Sequence, residues 1–340
     1  MRIGFAAPLS LAAVNGGVRT QVMQTALHLR DLGVDIEFIH FDQPYFNYDL
    51  VHVFSAGVET IGIAKQTVER NIPLIVSPVF FSNRSAATIS ASLIVEKTIS
   101  GFGSGIRSDF GIKANICNWA DAVLPNTETE LALVKNGLKI ESKKLHLIPN
   151  GVESRFKNAS PDLFKKTYGI ENFILFVGQA GAPRKNVIKL LQASKKIDSQ
   201  VVIIGDFYDN DYSRNCYEIA HSQNNVLLIE SLDHNDPILE SAYAASSVFC
   251  LPSFYETPGI AALEAALAGS KIVITKKGGT KEYFGNDARY IDPESYEDVL
   301  NSIHTAMSDN SESQLAENIL SRFTWEVVAE KTLDIYKKFS

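Results

Sequence analysis

Val248-Phe249-Cys250-Leu251-Pro252-Ser253-Phe254-Tyr255-Glu256-Thr257-Pro258-Gly259-Ile260-Ala261-Ala262-Leu263-Glu264-Ala265-Ala266-Leu267-Ala268-Gly269 reads in three parts. Val248–Leu251 is too short and too apolar for an amphipathic helix and has the character of a strand buried on both faces. Pro252 to Gly259 is a loop, punctuated by two prolines and a glycine. Ala261–Ala268 is an Ala-rich helix that Gly269 ends at its C′ position. The loop carries one carboxylate, Glu256, and the helix another, Glu264, eight positions on. Eight residues of helix rise about 12 Å. A retaining glycosidase pair stands roughly 5–5.5 Å apart, so the two acids read as separate anchors along one ligand and not as a hydrolytic pair. The Gly259 and Ile260 amides, at the helix N-terminus, suit a phosphate. The bland alternative is an ordinary connection with two solvated acids.

The same strand–loop–helix unit recurs in both directions. Strands are expected near Arg2–Ala6, Asp35–Ile39, Leu50–Phe54, Leu74–Ser77, Ala122–Leu124 and Leu145–Ile148, with helices at Val18–Leu32, Val58–Arg70, Ala86–Ser100 and Glu128–Asn136. Further on, strands fall near Phe173–Val177, Val201–Ile204, Val226–Ile229 and Lys271–Thr275, with helices at Val187–Lys196 and Pro237–Ala245. Such alternation specifies an α/β chain of two doubly wound parallel sheets, each with ligands at the carboxyl ends of its strands. Pro149-Asn150-Gly151 interrupts the pattern, which places the domains at 1–152 and 153–322. Residues 323–340 follow as an amphipathic helix (Trp325–Phe339) that packs back across both halves.

At 340 residues the chain has room for two such domains. The formal net charge of -7 argues against a nucleic-acid partner. It lies wholly in the second half, since residues 1–155 hold 14 basic and 14 acidic side chains. Cys117, Cys216 and Cys250 have no metal-ligand spacing and suit a reducing compartment. No run is long and apolar enough to span a membrane. Ile3 to Val14 is interrupted by Pro8 and Ser10 and reads as a first strand and loop rather than a signal peptide, which points to the cytoplasm.

Five landmarks, in order along nearly the whole chain, resemble retaining glycosyltransferase family 4, whose fold is GT-B. Glu256 to Glu264 looks like its E-x7-E signature. Asn15-Gly16-Gly17 is similar to its N-terminal glycine loop, Trp119–Asn126 to its "aDavi..S" strand, and Ile148–Val152 to its "iPNGvd" segment. Phe176–Gln179 through Pro183-Arg184-Lys185-Asn186 resembles its diphosphate loop. The resemblance implies two Rossmann-like domains facing across a cleft, acceptor side first and donor side second. It implies a metal-independent hexosyltransferase without a cofactor, working with retention from a UDP- or GDP-linked nucleotide-sugar to a glycan or lipid-linked glycan. Bacterial-type surface polysaccharide synthesis, with peripheral contact at the inner face of the membrane, is the expected setting.

Carried over residue by residue, Glu256 contacts the donor sugar, Glu264 bonds the ribose hydroxyls, and Lys185 with Arg184 binds the diphosphate and supports the leaving group. Glu256 and Lys185 are thus the catalytic candidates. Gly16, Gly17, Gly259 and Ile260 join Arg184, Lys185 and Glu264 as donor-binding candidates, and backbone near Ser231-Leu232-Asp233 is expected at the base. The chain departs from the family in two places. Gln179 stands where an Arg is usual, with Arg184 as a substitute cation, and Ile75–Phe80 lacks the His that many members carry. A nucleotide-sugar epimerase or hydrolase, and a non-catalytic binding subunit of a glycan-assembly complex, are the alternatives. Several other motifs have plainer readings. Gly101-Phe102-Gly103-Ser104-Gly105 reads as a loop, and Asp209-Asn210-Asp211 as a surface loop and not a metal-binding D-x-D. Lys139, Lys143 and Lys144 read as a solvated face rather than a membrane contact, and His52 as structural.

Overall fold

The computed structural model of the protein describes residues 1–13, 16–40, 47–100, 108–309, 311 and 313–339. The glycine-dense stretch 101–105, and Asn15 of the glycine loop, lie outside the described residues. Two compact units divide the chain. The first runs from Met1 to Gly151 and regains the C-terminal segment from Trp325, and the second is Val152–Thr324.

Unit 1 holds β1 (Arg2–Ala6), β2 (Asp35–Phe38), β3 (Leu50–Phe54), β4 (Leu74–Ser77) and β5 (Ala122–Val123), all parallel in the order β2-β1-β3-β4-β5. β3 and β4 are buried along their whole length, as their unbroken apolar sequences require of a sheet covered on both faces. The expected strand at Leu145–Ile148 shrinks to one parallel bridge, Val123 to Leu145. The His146 amide still reaches the Val123 carbonyl and the Ile148 amide that of Pro125. Prolines at 125 and 149 have no N–H with which to extend the ladder. Lys144 Nζ donates to the Asn118 and Ala120 carbonyls at 2.7 and 2.8 Å, and Lys143 pairs with Glu141 at 2.8 Å, so two lysines of that cluster are engaged with their own surroundings. The three cysteines are free and buried.

The final helix, Trp325–Tyr336, belongs to unit 1 and packs on the helix Gly17–Asp31. Its Tyr336 hydroxyl lies 2.6 Å from Nδ1 of His52 on β3, whose Nε2 lies 2.9 Å from the Ser77 hydroxyl at the end of β4. His52 stacks on Phe54 and is almost fully buried. Both ring nitrogens are occupied, so this histidine is structural.

Unit 2 holds β6 (Phe173–Val177), β7 (Val201–Ile204), β8 (Val226–Ile229), β9 (Ser246–Leu251), β10 (Lys271–Thr275) and β11 (Ala288–Ile291), parallel in the order β11-β10-β9-β6-β7-β8. β11 and the helices Asp162–Tyr168, Asp211–His221, Tyr296–Ser308 and Leu315–Arg322 add to the elements expected from sequence. The core is continuous from Val152 and Phe156 through the sheet to Phe323. At Asp209-Asn210-Asp211, Asn210 caps the helix Asp211–His221 by accepting the Ser213 amide, and both aspartates pair with Arg214.

Burial depresses the His52 imidazole to about 3, against 6.5 for the free side chain. Between those values the unfolded chain binds a proton that the folded chain refuses, so stability falls as pH falls. The loss is ~1.4 kcal/mol per pH unit. Thermal unfolding of unit 1 followed from pH 6.5 to 4 is expected to show this slope, and His52→Gln to flatten it. An unchanged slope in the variant would remove His52 as its source.

Candidate functional site

Strands β6 and β9 are neighbours, but the chain leaves them in opposite directions, to β7 and β8 on one side and to β10 and β11 on the other. The loops that follow β6 and β9 therefore meet at the carboxyl edge where the strand order reverses, the place where doubly wound sheets take their ligands. These two loops carry Lys185 and Glu256.

The loops are joined by backbone. Asn186, buried and left-handed at φ 54°, donates through Nδ2 to the Pro252 carbonyl at 3.1 Å and the Pro293 carbonyl at 2.6 Å. The Phe254 amide donates to the Arg184 carbonyl at 2.9 Å. On the far side, the Glu256 amide donates to the Lys277 carbonyl at 3.2 Å and the Gly279 amide to the Glu256 carbonyl at 3.1 Å. Gly278 sits between them at φ 108°, where a Cβ would fall 2.0 Å from the Glu256 carbonyl oxygen, so no other residue fits.

Held this way, Lys185 Nζ and Glu256 Oε1 meet at 2.5 Å, with only 13% and 9% of their side chains exposed. The Arg184 guanidinium lies in the open and donates to Gln179 Oε1 at 2.8 Å. A cation thus stands beside the position where the family pattern calls for arginine. Gly259, at φ 77°, caps the helix Ile260–Leu267. The helix's first amides have no intrahelical acceptor, as any helix N-terminus dictates.

Glu264 lies further along that helix and is 4% exposed. Its Oε2 accepts the Tyr243 hydroxyl at 2.6 Å, and its Oε1 has His234 Nδ1 at 3.6 Å. Burial raises the Glu264 carboxyl above its ordinary value, and the His234 charge and Tyr243 hydroxyl only partly oppose this. His234 Nε2 hydrogen-bonds Glu153 Oε2. Burial pulls the imidazole down, but the bond to Glu153 and the charges of Glu264 and Glu153 outweigh it, and the net shift is upward. Arg155 closes the array by donating to the His234 carbonyl at 2.8 Å and pairing with Glu240 at 2.5 Å and Glu153 at 3.3 Å.

The structure thus brings Arg184, Lys185, Glu256, Gly259, Ile260 and Glu264 to the loops and helix at one edge of the second sheet. Gly16 and Gly17 lie in unit 1, at the loop end following β1. Gly16 caps the helix Gly17–Asp31 and its carbonyl accepts the Thr20 amide at 3.1 Å. That loop is joined to the one after β3 by Ser10, whose hydroxyl donates to Glu59 at 2.9 Å. β1 and β3 are the switch-point pair of their own sheet. No role was expected for Gly278, Glu153, His234 or Tyr243, and none for Asn186 beyond its place at the end of the diphosphate-loop motif. A signal existed only for Asn186 and Gly278, a φ-tolerant Asn directly after the basic pair and a Gly-Gly pair after β10.

The two parallel sheets form the GT-B fold of glycosyltransferases. Structural relatives include sucrose-phosphate synthase from Thermosynechococcus elongatus, at a TM-score of 0.79 and 16% identity over 99% of both chains. Anabaena HepE in complex with UDP-glucose superposes at a TM-score of 0.75, with 16% identity over 99% of this chain and 100% of that one. Residues 162–321, within the second unit, match the family model glycosyl transferases group 1. Among curated sequences, the chain is 26% identical to an uncharacterized glycosyltransferase of Methanocaldococcus jannaschii, over 51% of this chain and 47% of the relative. It is 26% identical to the MMP alpha-(1->4)-mannosyltransferase of Mycolicibacterium hassiacum, over 58% and 49%. It is 24% identical to an Escherichia coli UDP-Gal:alpha-D-GlcNAc-diphosphoundecaprenol alpha-1,3-galactosyltransferase, over 85% and 75%. For the first two the match thus spans about half of the relative's length.

Removing Lys185 leaves the Glu256 carboxylate buried without its counter-charge. Lys185→Ala is expected to lower stability by about 1–3 kcal/mol, and adding Glu256→Gln to restore most of it. Thermal denaturation of the two singles and the double variant measures the coupling, and strictly additive losses would show that the pair contributes nothing.

Proposed function

We propose that the protein is a retaining, metal-independent glycosyltransferase that moves a hexose-type sugar from a UDP- or GDP-linked donor to a glycan or lipid-linked glycan. The observation that carries this reading is the Lys185–Glu256 pair at the switch point of the sheet, with the buried Glu264 on the adjoining helix. The group 1 domain match and the UDP-glucose complex of a protein with this fold support it. The acceptor class rests on the lipid-linked acceptor named for the E. coli relative. Surface polysaccharide synthesis at the inner face of the membrane is the setting that acceptor suggests. Among the described residues no helix is long and apolar enough to cross a membrane.

The residues divide the chemistry among them. A diphosphate arriving at the β6 loop gives Lys185 Nζ a second anion, and Arg184 and the Ile260–Leu267 helix N-terminus add positive potential. As the bond between the anomeric carbon and the phosphate oxygen breaks, its electron pair leaves on that oxygen, and a preorganised cation there favours the transition state over the ground state. Glu256, freed in part from Lys185, lies where the sugar develops positive charge. The acceptor oxygen bonds to the same face of the anomeric carbon and its proton passes to the leaving phosphate, which preserves configuration. Glu264 binds ribose equally before and during the reaction.

A panel of nucleotide-sugars with and without glycan acceptors tests the assignment. Transfer to acceptor is expected, whereas free sugar or an epimer in the absence of acceptor would favour a hydrolase or epimerase. With the active donor, Glu256→Gln is expected to cut kcat by roughly 100-fold with donor binding nearly intact. Glu264→Gln is expected mainly to raise the donor KM. Full transfer by Glu256→Gln would overturn its role. Lys185→Ala should weaken a nucleoside diphosphate by about 10- to 150-fold and leave the nucleoside nearly unaffected, in keeping with ~1.5–3 kcal/mol for a charge-assisted contact. Equal loss for both would reduce Lys185 to a structural partner of Glu256.

A further inference from the structure

The donor-site reading leaves a group of side chains unused. His234 is placed between two carboxylates, Glu153 on Nε2 and Glu264 beyond Nδ1, and retains a third of its side-chain surface. Neither acid is a surface group, at 18% and 5% side-chain exposure. The 3.6 Å between Nδ1 and Glu264 Oε1 is too long for a hydrogen bond, so the Nδ1 proton and the Oε1 lone pairs face each other without being satisfied by one another. Glu264 spends its other oxygen on Tyr243.

We propose that His234 is a positioning residue for nucleotide binding: its ring, clamped by Glu153, shares a ribose hydroxyl with Glu264. The inference rests on the donor-site reading and deepens it. A hydroxyl is both donor and acceptor. Seated at ordinary hydrogen-bond distance, roughly 2.8 Å, from both groups, it donates to Glu264 Oε1 and accepts from His234 Nδ1, forming a triangle on the open edge. A deoxy sugar leaves both groups unmatched.

Every titratable or aromatic group in contact with the ring is consistent with this assignment. Glu153 comes from the segment that opens unit 2, Glu264 from the helix Ile260–Leu267, and Tyr243 from the helix Pro237–Ala245 through Glu264. Arg155 bonds the His234 carbonyl and opposes the imidazolium charge, while Phe156 offers a ring edge at 5.9 Å. Two anions against one cation leave the imidazolium favoured, so its proton is held above the usual 6.5. When that proton is lost at higher pH, Nε2 keeps a hydrogen for Glu153 and Nδ1 becomes a bare lone pair opposite Glu264. The shared hydroxyl then loses its donor.

Calorimetry with UDP and GDP, and with their 2′,3′-dideoxy forms, tests this in the full chain and in His234→Gln. For the full chain we expect the ribonucleotide to bind about tenfold tighter than the dideoxy form, a preference that shrinks as pH rises through the His234 transition. In His234→Gln we expect a weaker preference, kept by Glu264 alone, with no pH dependence in that range. Proton NMR of the His234 ring in the nucleotide-free protein supplies a second readout, its titration falling in both Glu153→Gln and Glu264→Gln. A ribose preference with the same pH profile in wild type and His234→Gln would overturn the role of His234 and leave the donor site standing. Failure of the full chain to bind any nucleoside diphosphate would overturn the donor site itself.

Discussion

A carboxylate taken out of water must be given a counter-charge or hydrogen bonds, or it takes up a proton. Unit 2 buries two of them at one edge of its sheet, and much of the local construction answers that demand. Glu256 is matched by a full cation, Lys185, at 2.5 Å. Glu264 is matched by the Tyr243 hydroxyl and by an imidazole one step removed. The first solution can be undone by a competing anion, because Lys185 needs only to rotate toward it. The second is built into the packing, since Tyr243 is fully buried and His234 is fixed by Glu153.

Parallel pairing decides where these acids lie. Each strand must be regained by a crossover, and the strand order reverses where the crossovers change side. In unit 2 that happens between β6 and β9. Asn186 binds the two loops to each other and to the Pro293 carbonyl beyond β11, so the site is held by loops of three strands. Unit 1 applies the same principle with other side chains. There Glu130 is buried and accepts the Phe80 and Asn126 amides at 2.6 and 2.7 Å, tying the loops after β4 and β5.

Strands such as Leu74–Ser77 and Val201–Ile204 were legible in the sequence because a fully buried parallel strand is a short apolar run between turn residues. β11 was not, since Ala288-Arg289-Tyr290-Ile291 is an edge strand with an exposed Arg289 and an apolar pattern that is broken. Helices such as Asp211–His221 were missed because their polar faces are wide and their apolar positions few. Within the site, Lys185, Glu256 and Glu264 could be singled out because they sit in contiguous motifs. Glu153, His234 and Tyr243 are drawn from three separate segments, and nothing in their own neighbourhoods says that the fold will join them. His52 shows the converse: a histidine whose meaning is set by Tyr336, 284 positions away in sequence.

On the proposed function, the Lys185–Glu256 pair is the resting form of a diphosphate site. A crystal structure of the protein with a nucleoside diphosphate tests it most directly. The expected complex has Lys185 Nζ on a phosphate oxygen and no longer solely on Glu256, with the ribose hydroxyls against Glu264 Oε1. A nucleotide bound elsewhere, or one bound at the β6 loop with the Lys185–Glu256 contact unchanged and the phosphates held only by Arg184, would contradict it.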